Sequence, residues 1–151
     1  MPKSEDEQNK AKSDKIGQAI ENVCFSYLPA IGAISHTVFA IHILDKSLIP
    51  RFFPVWHFGV ANSFLFNSHL GVGLYLYNSR CLSKAPVHNR ILWSVYGSVL
   101  FNFGSVLLFS TGKLLLVNDR LIGALYAAAA SLSFLVIGKQ YVEFVDENID
   151  G

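Results

Sequence analysis

The chain has 151 residues, of which 52% are hydrophobic and 15% charged, and its formal net charge is +1. That length leaves room for one small domain, and the near-neutral balance excludes the clustered basic surface that nucleic-acid binding requires. Mean hydropathy is +0.38, and all 12 basic and 11 acidic side chains lie outside four stretches, 22–44, 52–79, 91–112 and 121–138. A helix rises about 1.5 Å per residue, so roughly 20 residues cover a ~30 Å hydrocarbon core. A soluble helical domain would carry charged faces on its helices. The predicted fold is therefore an all-α membrane protein: a four-transmembrane-helix bundle built from two hairpins, with no room for an extramembrane catalytic domain.

Residues 1–21 form a polar arm expected on the cytosolic side. It is too long and polar for a signal-peptide n-region, and Glu5, Asp6 and Glu7 argue against a mitochondrial presequence. It reads as a solvated, mobile segment, with Ser4 before three acids as a phosphorylation candidate. The transmembrane domain spans 22–138, with crossings at about 23–44, 54–78, 91–112 and 120–138. The first crossing acts as its own insertion signal, and Asp45-Lys46-Ser47 ends it. Pro50 and Pro54 frame the start of the second, where a missing N–H is tolerated. Pro86 breaks the middle loop, and Asn118-Asp119 makes an outer turn, with Asp119 as the cap of the fourth helix. Residues 139–151 form an acidic cytosolic tail.

Eight Lys and Arg fall in the arm, middle loop and tail, against four in the two outer loops (Lys46, Arg51, Lys113 and Arg120). The positive-inside rule then places both termini in the cytosol. Cys24 and Cys81 fall on that reducing side. Trp56, Trp93, Tyr75, Tyr77 and Tyr141 lie near the expected interfaces, as aromatic belts do.

Helices in lipid gain little from hydrophobic association, so close approach over small residues drives their contact. The second crossing offers Gly59, Ser63, Asn67 and Gly71 at fourfold spacing, read as one face. Gly97 and Gly104 in the third and Gly123 and Ala127 in the fourth extend the expected helix-packing or partner face. No Asp, Glu, Lys or Arg lies inside a crossing, which removes most proton-pump and ion-pathway readings. A Ser-His-Asp arrangement lacks its acid. No catalytic residue and no metal site is expected.

Histidines and amides are the remaining intramembrane groups that could carry chemistry: His36, His42, His57, His69, Asn62, Asn67 and Asn102. They read as interhelical hydrogen-bonding groups, with a haem or other cofactor site as the alternative. His42 and His57 share a depth near the outer boundary, whereas His36 and His69 differ by about 8 Å. A bis-histidine haem needs both ligands at one level.

One family resemblance rests on His57-Phe58-Gly59-Val60, on Ile91-Leu92-Trp93-Ser94 with Leu108-Phe109-Ser110-Thr111-Gly112, and on Gly138-Lys139-Gln140-Tyr141-Val142-Glu143. Over residues 57–143 the order and spacing resemble the small four-span ergosterol biosynthetic scaffold family of the endoplasmic reticulum. The resemblance implies a non-catalytic tether for sterol-biosynthesis enzymes. His69 stands where that family tends to place a basic residue, and Ser105 near its acidic position. The expected function is a membrane scaffold or accessory protein without catalytic activity or cofactor, in the endoplasmic reticulum or alternatively the mitochondrial inner membrane. Its expected partners are the lipid bilayer, membrane-bound enzymes or other membrane subunits, with a homo-oligomer as an option. A haem- or cofactor-binding redox subunit and a small transporter or lipid-binding bundle are the competing classes.

Overall fold

The computed structural model describes residues 5–116 and 119–148. Ser4, Asn118 and residues 149–151, which belong to the expected arm, turn and tail, lie outside the described residues. The chain is all-helical: α1 (Glu5–Asn22), one π-helical turn (Val23–Tyr27), α2 (Leu28–Leu44), α3 (Leu48–Phe52), α4 (His57–Tyr77), α5 (Arg80–Ser83), α6 (Val87–Leu116) and α7 (Arg120–Asn148). No strand occurs among the described residues. Three stretches, Lys12–Leu44, Val87–Leu114 and Arg120–Asn148, are long and apolar enough to cross a membrane. At 21 residues α4 is long enough as well, but two histidines and two asparagines make it less apolar.

The arm differs from the expectation. It is helical from Glu5 and runs through the π turn into α2, because Asn22 and Leu28 both keep right-handed helical dihedrals. Ala, Lys, Gln and Glu are strong helix formers, and extending an existing helix avoids the cost of nucleating a new one. At the other end α7 continues ten residues past the expected crossing. Its 29 residues reach about 43 Å, so residues 139–148 of the expected tail continue the helix.

The α2–α4 interface is the most extensive, followed by α4–α6 and α2–α7, and α2 touches all three partners. Gly32 and Gly71 mark the closest approach: a Cβ added to Gly71 would lie 2.6 Å from the Gly32 Cα. Backbone meets backbone there, which is the small-residue logic of helix contact in lipid.

The distribution of side chains is inverted relative to a water-soluble bundle. The interior holds Ser35, His36, Ser68, Ser94, Ser98, Asn102, Ser105 and Ser131, with Ala40, Ala127 and Phe109 as its apolar members. The surface carries Phe58 (76% exposed), Leu107 (69%) and Leu121 (68%) among many large apolar residues. Total accessible surface is 10586 Å², against about 7600 Å² for a soluble monomer of this mass. Water would penalise that much exposed hydrocarbon, whereas acyl chains do not.

Local hydrogen bonds fix the ends. Asp119 caps α7 by accepting from the Leu121 N–H at 2.8 Å, as expected from the sequence. Lys113 Nζ donates to the Ile43 carbonyl at 3.0 Å, placing a cation on the C-terminal carbonyls of α2, where the helix dipole favours it. Asp146 of α7 accepts from the Arg80 and Cys81 amides at 3.0 and 2.8 Å. The tail helix thus holds the start of α5.

Candidate functional site

Two polar clusters run through the interior. In the first, α4 and α6 are joined reciprocally. Ser68 Oγ donates to Asn102 Oδ1, Asn102 Nδ2 donates to the Ser98 carbonyl at 2.9 Å, and Ser98 Oγ returns to the His69 carbonyl at 2.6 Å. Each buried donor thereby finds an acceptor, which hydrocarbon demands. In the second, α2 meets α7. Thr37 Oγ1 donates to the Ala33 carbonyl at 3.1 Å, so its hydrogen is committed. The Ser131 hydroxyl must then donate to Thr37 Oγ1, 3.0 Å away. Ser131 Oγ is left to accept from His36 Nδ1–H at 2.7 Å.

That chain of donors fixes the neutral His36 tautomer: Nδ1 carries the hydrogen and Nε2 the lone pair. Nε2 is buried without a partner among the described residues. The ring lies between Phe101 (centroids 5.3 Å) and Phe109 (5.6 Å). His69 takes the same tautomer by donating Nδ1–H to the Leu65 carbonyl at 2.8 Å, and His57 does so to the Pro54 carbonyl at 3.0 Å. His42 lies in the last turn of α2, and its Nδ1 is buried without a partner among the described residues. None of the four bonds to another histidine in the described residues, and no group of three His, Cys, Asp or Glu is placed to hold a metal ion there.

The fourfold row in α4 splits between inside and outside. Gly71 is buried against Gly32, and the Asn67 carbonyl lies 3.0 Å from a Cβ built on Gly32. Gly59 has no neighbour within 4 Å, and Ser63 is exposed, its hydroxyl turned onto the Gly59 carbonyl at 2.9 Å. The reason is helical pitch: each four-residue step overshoots one turn by about 40°, so Gly59 and Gly71 point about 120° apart. Asn62 is also exposed, in line along α4 with the exposed Phe58 and Phe66. Gly97 faces Leu76, Gly104 meets open space, and Gly123 and Ala127 are buried in α7.

At the outer-loop end, Asp45 accepts from the Ser47 hydroxyl at 2.7 Å and the Ser47 N–H at 3.0 Å, with Arg120 Nε 3.7 Å away. The Ser47 hydroxyl is the main cause that holds the Asp45 carboxyl below its usual value, with Arg120 a smaller contributor. Around the α5 end, Arg90 Nε donates to the Tyr77 carbonyl at 2.6 Å, and its guanidinium lies 3.9 Å from the Tyr77 ring centroid. From the sequence, Arg90 counted only as loop charge, and Gly32 was not among the small residues read as a packing face. The signal for Arg90 was its place next to a charge-free crossing.

None of the family models, curated proteins or solved structures compared with this chain matches it.

Proposed function

We propose that this chain is a four-span membrane bundle that acts by holding other membrane proteins, as a scaffold or accessory subunit without a reaction of its own. The supporting observation is the outer face of α4. Asn62 is exposed there in line with Phe58 and Phe66, with Gly59 in the preceding turn, and no hydrogen bond within the described residues engages its amide. An amide in hydrocarbon is costly until it finds a partner. Small residues beside it let another helix approach closely enough to supply one. Ser68, Ser98, His36 and Ser131 of the interior are engaged in hydrogen bonds between helices, which suits a body whose work is done at its surface. In this reading α2, α4, α6 and α7 all cross, both termini are cytosolic, and the membrane is that of the endoplasmic reticulum. The resemblance over residues 57–143 supplies the partner class, enzymes of sterol biosynthesis.

Proximity labelling from the C-terminal helix in native cells tests this reading. Enrichment of membrane-bound sterol enzymes supports it, and labelling confined to respiratory or transport proteins contradicts it. His36 favours a second reading, because an unpartnered Nε2 lone pair with Nδ1–H held by a hydroxyl is the arrangement of a cofactor-ligating histidine. A haem absorption band in the purified protein that is lost in His36→Ala is the result that reading requires.

A further inference from the structure

A groove of about 490 Å³ runs along the outside of α4 and α6. Phe66, Leu70 and Tyr77 form one wall and Val95 and Val99 the other, with Phe25 of the π turn at one end. From Phe66 to Tyr77 it extends about 16 Å along the helix, close to half of a ~30 Å hydrocarbon core. That is the length one acyl chain occupies in its own leaflet. At the Tyr77 end Phe25 stacks on the Tyr77 ring, with centroids 6.2 Å apart, and Ile91 lines the groove beside them. Arg90 lies next to that end: its guanidinium is 3.9 Å from the centroid of the lining Tyr77 ring, and its Nε donates to the Tyr77 carbonyl.

Arg90 is the last charged residue before the charge-free stretch 91–112, so it stands at the level where headgroups begin. No hydrogen bond within the described residues engages its two terminal amino groups. A guanidinium fixed in orientation loses little freedom on binding and presents the planar fork that matches a phosphate. An apolar slot about one leaflet deep, with a tethered cation beside its end, is complementary to an anionic amphiphile. We propose that the α4–α6 groove binds one anionic glycerophospholipid, its acyl chain against Leu70 and Val95 and its phosphate on Arg90.

The proposal rests on α4 and α6 crossing the bilayer. That premise is checked first by floating the full-length protein with phosphatidylcholine vesicles, so a failure to insert is seen before any lipid is counted. Protein reconstituted in equimolar phosphatidylcholine and phosphatidic acid is then analysed by native mass spectrometry. Wild type is expected to retain one phosphatidic acid in preference to phosphatidylcholine. Arg90→Gln should lower that preference about fivefold, the effect of one basic side chain at a membrane surface, and Arg90→Lys should restore part of it. Val95→Trp fills the groove from its exposed side and should reduce retention with the cation intact. Leu125→Trp, on the exposed face of α7, should leave it unchanged. Each variant is compared at an unchanged helical melt. Equal retention by wild type, Arg90→Gln and Val95→Trp overturns the proposal, as does equal retention of phosphatidylcholine or of oleate by the wild type.

Discussion

Gly59 and Gly71 are twelve residues apart on one helix, and a side chain at one meets nothing while at the other it meets backbone. Gly71→Leu should separate α2 from α4 and cost about 1–3 kcal/mol or more, as overpacking does, read from thermal unfolding in detergent. Gly59→Leu should leave the isolated chain within about 0.5 kcal/mol of wild type while reducing the size of the complexes it enters. Equal losses in both variants would contradict the split. Asn102→Ala removes the acceptor of Ser68 Oγ and should cost roughly 1–2 kcal/mol by leaving a buried hydroxyl unpaired. Asp45 sets an acid limit. Because its folded pKa lies below the ordinary aspartate value, the carboxylate stabilises the fold above about pH 4, and that stability is lost as pH falls through the folded pKa. Asp45→Asn should flatten the melting temperature of the chain over that acidic range. An unchanged slope would mean that the Ser47 and Arg120 contacts add nothing to stability.

At the scale of elements, the long apolar helices were legible because charge is excluded from them so cleanly. Their ends were less so. The sequence marks where charge resumes, but a helix need not stop there, and α7 carries on because Asp146 has amides of α5 to hold. Asp146→Ala should therefore raise hydrogen exchange at Arg80 and Cys81 and leave exchange in α2 and α4 unchanged. The interior was legible in kind, since Gly, Ala, Ser and Asn were expected between helices, but not in pairing. A fourfold spacing drifts around a helix of 3.6 residues per turn, so Gly59 and Gly71 could not share a face over twelve residues. Gly32 became visible as the partner of Gly71 only once α2 and α4 were laid together. The tautomer of His36 likewise depends on Thr37 and Ser131, and the latter is 95 residues away.

The whole molecule has many of its small polar residues inside and many of its large apolar side chains facing outward, and one helix is less apolar than its neighbours. The account requires α4 to cross with α2, α6 and α7, because its Ser68 and the His69 carbonyl meet α6 in the interior and its Gly71 meets α2. A helix lying along the membrane surface could not make those bonds and keep Phe58 and Phe66 in lipid. The most direct test is thiol accessibility from the two sides of sealed microsomes, after replacing Cys24 and Cys81 with Ala. Single cysteines are introduced as Val55→Cys before α4 and Lys84→Cys after it. The account predicts that Lys84→Cys reacts with a membrane-impermeant maleimide added to the cytosolic side, while Val55→Cys reacts only after the membrane is permeabilised. Labelling of both positions from the same side would contradict it, because α4 would then not cross and the four-helix reading would fail with it.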